Sequence, residues 1–268
     1  MLMNIVVLVK YVPDATGDRR FEADSTVDRE GVDGLLSELD EYAVEQALRI
    51  KEAHDDEEIV VTALTVGPED AEDALRKALQ MGADNAVHVC DDAIAGSDAV
   101  ATSMVLAEAV KKAGDGVVPD LVITGMASTD GGMGVVPAML AERLAVPQVT
   151  LASAVETQGD QVRIRRDSDA ATESISATMP LLLSVTDQTG EARYPSFKGI
   201  MAAKKKPLRT WDLSDLGVDE ALVGLGASRT TVAATAARPP RTAGEIVKDE
   251  DGSGAAALAG FLVGSKFI

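Results

Sequence analysis

Within the first 125 residues, four short apolar runs alternate with segments of helical period, and this rhythm constrains the fold more than any other feature of the chain. NIVVLVK (Asn4 to Lys10) is continuously apolar, as expected of a parallel strand covered on both faces, and Pro13 closes it. SELDEYAVEQALRIKEAH follows, with Ser37 placed as an N-cap and Val44, Ala47 and Leu48 on one helical face. EEIVVTALTV gives a second strand ending near Val66, and Gly67-Pro68 turns the chain. The clearest helix is DAEDALRKALQMGAD, where Ala71, Ala74, Leu75, Ala78 and Leu79 recur at helical spacing and Gly82 supplies the stop. A strand at Ala86 to Cys90, a helix from Ser97 to about Ala113 and a strand at Leu121 to Thr124 continue the pattern. Strands separated by helices imply right-handed crossovers, so the expected fold is α/β, a mostly parallel sheet flanked by helices.

Past Gly125 the rhythm changes. The glycine-rich loop GMASTDGGMG leads into an apolar helix, VVPAMLAERL, with Pro137 tolerable in its first turn. QVRIRR, SISATM and LLLSVT are short runs between turn residues and predict a small antiparallel extension. From about Gly226 the chain is rich in Thr, Pro, Gly and charge and cannot build a core of its own. It closes on GAAALAGFLVGSKFI, a short apolar helix. The expected organisation is an α/β domain over residues 1–225 and an arm over 226–268 that docks on another surface. No internal repeat is visible at periods of 20 to 50 residues.

Composition removes several function classes. With 25 Lys+Arg against 44 Asp+Glu, a net charge of -19 repels phosphate backbones, which argues against nucleic acid. No apolar run approaches the length of a membrane span, and the opening MLMNIVVLVKYVPD reads as a strand rather than a signal peptide. Cys90 is the sole cysteine, which excludes an intrachain disulfide and fits a reducing cytoplasm. His54 and His88 are far apart and Cys90 stands alone, so no metal site is expected.

Two stretches stand out as candidate sites. The loop Gly125 to Gly134 lies beyond the carboxyl end of a predicted strand and before a helix, where open α/β sheets bind ligands. Its glycines let an anion approach the backbone, and Ser128, Thr129 and Asp130 add hydrogen-bonding side chains; a plain surface turn fits the same residues. It matches neither GxGxxG nor GxxxxGK[ST]. The second stretch, RYPSFKGIMAAKKK (Arg193 to Lys206), is basic in an acidic chain. Residues 188–210 hold six basic side chains and one acid, with Tyr194 and Phe197 among the scarce aromatics. A basic linker, a partner contact anchored by Phe197 and a weak attraction to acidic lipid are the alternatives, and Phe197, flanked by Pro195, Ser196, Lys198 and Gly199 in a poor setting for a core residue, favours the partner. No nucleophile motif is present; Cys90 and His88 read as buried strand residues, and His54 as a helix end.

Several stretches taken in order resemble the β subunit of electron transfer flavoproteins over nearly the whole chain. They are IVVLVKYVPD, LDEYAVEQALRIKE, TVGP with ALRKALQMGAD, DLVITGMASTDG, RRDSD with ATMPLLLSV, RYPSFKGIMAAKKK and PPRTAGE. The resemblance implies an adenine-nucleotide hydrolase-like fold and a heterodimer in which a larger α subunit holds most of the FAD. It also implies electron flow from acyl-CoA-type dehydrogenases, as in fatty acid oxidation, to a membrane quinone oxidoreductase, with no independent catalysis by this chain. A structural AMP would occupy this subunit. Its pocket would be Leu8, the helix start Ser37, Glu38, Leu39 and Asp40, then Val66, and the run Gly125, Met126, Ala127, Ser128, Thr129, Asp130, Gly131, Gly132, Met133, Gly134, Val135 and Val136. The segment 193–206 would be the recognition loop, with Tyr194, Ser196, Phe197 and Lys198 at the partner, Phe197 as the inserted apolar side chain, and Asp167 as a docking acid.

Three departures qualify the resemblance. Relatives often carry Asn where Ser37 stands and Leu where Phe197 stands. Electron-bifurcating relatives, which hold a second FAD in this pocket and oxidise NADH there, carry DGDTAQVG where this chain has DGGMGVVP, so the non-bifurcating reading leads and the bifurcating one is the alternative. A stand-alone adenine-nucleotide hydrolase would need a loop such as SGGxDS after the first strand, and VKYVPD offers none.

Overall fold

The computed structural model describes residues 2–17, 19–54, 57–237, 239, 244, 246–249 and 251–268. In chain order the elements are β1 (Leu2–Leu8), β2 (Tyr11–Pro13), β3 (Gly34–Leu36), α1 (Glu38–Ala53), β4 (Glu58–Val66), α2 (Glu72–Met81), β5 (Asn85–Val89), α3 (Ala99–Ala113) and β6 (Leu121–Gly125). They continue with α4 (Val136–Leu144), β7 (Gln148–Ala152), β8 (Ala154–Gln158), β9 (Gln161–Asp167), β10 (Thr172–Thr178), β11 (Leu181–Val185), α5 (Phe197–Ala203), β12 (Leu208–Trp211), α6 (Leu213–Leu216), α7 (Gly224–Ala227) and α8 (Gly254–Gly264).

A seven-stranded sheet in the order β12-β5-β4-β1-β6-β11-β7 forms the scaffold, and every pairing in it is parallel. Alternation along β1 sends its apolar residues to both faces. Ile5 and Val7 join Val44, Ala47, Leu75 and Leu79 on the α1/α2 side. Val6 and Leu8 join Val105, Val110 and Leu140 on the α3/α4 side. Two buried faces explain why the run carries no polar alternation. From β1 the chain builds outward through β4 to β5, then returns to β6 on the other flank of β1. The carboxyl ends of β1 and β6 therefore form the switch point where a doubly wound sheet opens a crevice.

Local details depart from the sequence expectations. LLLSVT is not antiparallel: β11 lies in the main sheet between β6 and β7, and all five of its residues are buried. Only β8, β9 and β10 form the antiparallel extension, whose inner face carries Val162 and Ile164. Pro13 ends β2, a short partner of β3, rather than β1 itself. Ala71 belongs to the 3-10 turn before α2, and α3 starts after Asp98, whose carboxylate accepts the N–H groups of Val100 and Ala101. Cys90 follows β5 half-buried, where burial and then nearby Asp92 and Glu69 raise its thiol. His88 is buried with Nε2 beside the Gly67 carbonyl, and His54 is the C-cap of α1.

Two compact units divide the chain, residues 1–234 and 235–268. In the second, α8 is apolar around its whole circumference and none of its residues is buried. Most of PPRTAGE, Pro240 to Ala243 and Glu245, lies outside the described residues.

Candidate functional site

The crevice at the switch point is built on two close approaches. The N-terminus of α1 presses on the tip of β6 so tightly that a Cβ at Gly125 would sit 2.5 Å from Asp40 Oδ1 and 2.9 Å from the Leu39 carbonyl oxygen. Only glycine leaves that space. The Asp40 carboxylate, buried, accepts the Lys10 N–H at 2.9 Å and the Gly125 N–H, and so ties the ends of β1, β6 and α1 together. Ser37 stands at the N-cap position but caps nothing. Its hydroxyl, fully buried, instead accepts the Thr129 N–H at 3.4 Å, which joins α1 to the glycine loop.

The glycine loop is organised around Asp130. Its carboxylate, 2% exposed, takes Lys10 Nζ on one oxygen and Arg29 Nη2 on the other, both at 2.9 Å. Arg19 adds a bond from Nη1 to the Thr129 carbonyl at 3.0 Å. Burial alone would raise the Asp130 carboxyl. The Lys10 charge and the bonds from Ser128, Lys10 and Arg29 outweigh it and hold the group well below the usual carboxylate range. Lys10, Arg19 and Arg29 thus gather at the loop around the Asp130 and Asp40 carboxylates, in a chain that is strongly acidic. Gly132 and Gly134 take φ of 61° and 65°, conformations that side chains resist.

Beyond the loop, α4 begins at Val136 after Val135, which provides no side-chain cap. At the tip of β6 the Thr124 hydroxyl is buried and has no hydrogen-bond partner. A buried hydroxyl without a partner costs about 1–3 kcal/mol. Leu8, half-buried Val66 and Val136 pack on the same α3/α4 side of the sheet. The pieces fit an adenylate: apolar residues for a base, a buried hydroxyl, and an uncapped helix start behind a glycine loop for a phosphate. Glu38 is exposed, as are Gly131, Gly132, Met133 and Gly134. Sequence reasoning passed over Lys10, Arg19, Arg29 and Thr124; Lys10, directly after the first strand, was the one with a positional signal.

Asp40 is pushed up to about 7, chiefly by burial, against the opposing pull of the Lys10 N–H and charge and the Gly125 N–H. A raised carboxyl binds its proton more tightly when folded, so its ionisation costs stability as pH climbs from about 4 to about 7, and the cost is constant above. The full span is worth at most about 4 kcal/mol. Thermal midpoints of the wild type should therefore fall relative to Asp40→Asn across that window; a gap that stays constant from pH 4 to 8 contradicts the assignment.

The basic stretch Arg193 to Lys206 lies elsewhere on the fold, and its middle, Phe197–Ala203, is a helix where a loop was expected. Phe197 opens α5, and the Ser196 hydroxyl caps it by accepting the Gly199 N–H at 3.0 Å. Tyr194 is 94% and Phe197 80% exposed, with Met201 and Lys198 also at the surface. Asp167, at the end of β9, accepts Ser153 Oγ at 2.6 Å, Thr172 Oγ1 at 2.7 Å and Arg165 Nε at 3.0 Å, and the Ser153 and Thr172 bonds chiefly lower its carboxyl. Among the described residues no cluster of His, Cys, Asp or Glu is arranged to hold a metal ion, and no helix is long and apolar enough to cross a membrane.

Comparison with known proteins gives a consistent result. A family model described as electron transfer flavoprotein domain matches residues 24–216, well over half of the chain. The chain is 46% identical over 270 residues to the electron transfer flavoprotein subunit beta of Mycobacterium tuberculosis, covering 100% of both proteins. It is 34% identical to the protein of the same name from Megasphaera elsdenii, covering 93% of each. It is also 36% identical to protein FixA of Azorhizobium caulinodans, over 86% of this chain and 83% of the relative.

Proposed function

Because this chain belongs to the electron transfer flavoprotein family, as a β subunit that carries electrons together with an α subunit, we propose that it does so as a non-bifurcating member. In this reading FAD lies at the subunit interface and supplies the redox chemistry, while AMP fills the crevice of this chain. The observation that supports the adenylate is the unpartnered Thr124 hydroxyl at the end of β6, followed along the chain by the glycine loop that Lys10 and Arg29 hold and by the uncapped start of α4. Leu8, Val66 and Val136 would take the base, and Ser37 to Asp40 and the run Gly125 to Val135 the ribose and phosphate. A ligand there links β1, β6, α1 and α4, so its role is to stiffen the domain.

The remaining surfaces divide the partner contacts. Exposed Tyr194 and Phe197, with Lys198 beside them, serve as the anchor for acyl-CoA-type dehydrogenases, with Asp167 as an accessory acid. An all-round apolar helix is normally a buried one, which supports residues 226–268, α8 included, as an arm that docks on the α subunit. Bound FAD would supply the redox chemistry for transfer to a membrane quinone oxidoreductase, this chain's part being to hold the partners, and the chain works in the cytoplasm. The nucleotide content of the purified heterodimer tests the reading: one flavin and one AMP per pair are expected, and two flavins would mark the bifurcating arrangement instead.

A further inference from the structure

The stretch that carries Tyr194 and Phe197 is strapped to the scaffold at both ends by a basic side chain, one on carboxylates and one on backbone carbonyls. Before it, Arg193 makes five bonds to two carboxylates of α1. Nε reaches Glu45 Oε2 at 2.7 Å, Nη2 reaches Glu45 Oε1 at 3.2 Å, Nη1 and Nη2 reach Glu52 at 2.5 and 2.9 Å, and the backbone N–H adds a bond to Glu45 Oε2 at 3.1 Å. Glu45 is 4% exposed, so one partner of the pair is buried. Arg49 braces the same point from α1, donating to the carbonyls of Thr189 and Glu191 at 3.0 and 2.9 Å. After the anchor, Lys206 Nζ donates to the carbonyls of Leu79, Gly82 and Ala83 at 3.1, 3.1 and 2.6 Å, a cation seated on the C-terminal end of α2. Between the straps α5 rests directly on α2, where a Cβ at Gly199 would lie 2.4 Å from the Gln80 carbonyl oxygen.

We propose that Arg193 and Lys206 are positioning residues that hold the short α5 helix and its exposed Tyr194 and Phe197 in one orientation before a dehydrogenase arrives; this rests on the docking reading given above. The physical reason is that α5 has seven residues, too few to be stable alone. An aromatic anchor on an unordered segment loses affinity to the entropy of ordering it, and presetting the segment removes that loss. Two of the six basic residues in this stretch are thus consumed by the fold, leaving Lys198, Lys204, Lys205 and Arg209 as its outward charge.

The test uses the FAD-loaded heterodimer and a purified acyl-CoA dehydrogenase, reading the dehydrogenase's KM and kcat for the heterodimer together with deuterium exchange over residues 197–203. Arg193→Gln is expected to raise KM about tenfold at nearly constant kcat and to speed exchange of those amides. Glu52→Gln, which removes an outer carboxylate and leaves Arg193 in place, should shift both readouts the same way but less. The double variant should be no worse than Arg193→Gln alone. Lys206→Met should likewise raise KM and exchange. Phe197→Ala should raise KM while leaving exchange as it was. If the strap variants alter neither readout while Phe197→Ala raises KM, the positioning role is overturned and docking stands. If Phe197→Ala leaves KM unchanged, the docking reading falls and takes the proposal with it. Should Arg193→Gln not fold, Glu52→Gln, at a half-exposed surface carboxylate, carries the same test.

Discussion

Gly125→Ala should strip the crevice of its nucleotide and lower the thermal midpoint of the heterodimer. The added methyl group would stand 2.5 Å from Asp40 Oδ1 and 2.9 Å from the Leu39 carbonyl oxygen, far inside contact distance. Neither neighbour can give way cheaply. The Leu39 carbonyl is backbone in the first turn of α1, and Asp40 is fixed by the Lys10 and Gly125 N–H groups. Relief requires α1 to back away from β6, which separates Ser37 from Thr129 and opens the floor under the glycine loop. Overpacking of this kind costs about 1–3 kcal/mol, and a domain this size loses about 2–4 °C per kcal/mol, so a fall of roughly 2–12 °C is expected. Gly159→Ala, in the turn between β8 and β9 and outside the crevice, is the control. Nothing lies within 4 Å of its Cβ, and only its φ of 57° is unfavourable, so it should cost about 1 kcal/mol and retain nucleotide. Differential scanning calorimetry with nucleotide analysis of the same samples reads both, and equal behaviour of the two variants would contradict the close-approach argument.

Phe197→Ala should raise the KM of an acyl-CoA dehydrogenase for the heterodimer roughly 30-fold, because one aromatic anchor in a partner's pocket is worth about 2 kcal/mol. The FAD content and the thermal midpoint should stay within error of the wild type. The reason is that the ring is 80% exposed and contributes little to this chain's own core. Steady-state transfer to the heterodimer checks the first statement and the flavin absorbance per heterodimer the second. A loss of flavin with unchanged KM would place Phe197 in the subunit interface and not at the dehydrogenase.

The sheet was legible because it follows from local rules. An unbroken apolar run such as IVVL, Ile5 to Leu8, is expected where helices cover both faces, and helix-spaced Ala and Leu at 74, 75, 78 and 79 fix α2 in place. The same rule assigns LLLSV to the main sheet, since a run buried at all five positions is a central strand; grouping it with the alternating SISAT obscured that. What stayed hidden depends on contacts far apart in sequence. Lys10 and Asp130 are 120 residues apart and Arg193 and Glu45 are 148 apart, so no window of the chain displays them as partners. Lys206 reads as one of three surface lysines until α2 ends beneath it and offers three carbonyls. Ser37 has the residue type and position of a helix cap, yet the glycine loop takes its hydroxyl.

The account depends most on an adenylate held in this chain, and heat denaturation of the purified heterodimer followed by quantitative mass spectrometry of the released small molecules tests that claim directly. AMP and FAD should appear in equal amounts, one of each per heterodimer. Release of FAD at two per heterodimer, or of FAD with no AMP, would contradict it.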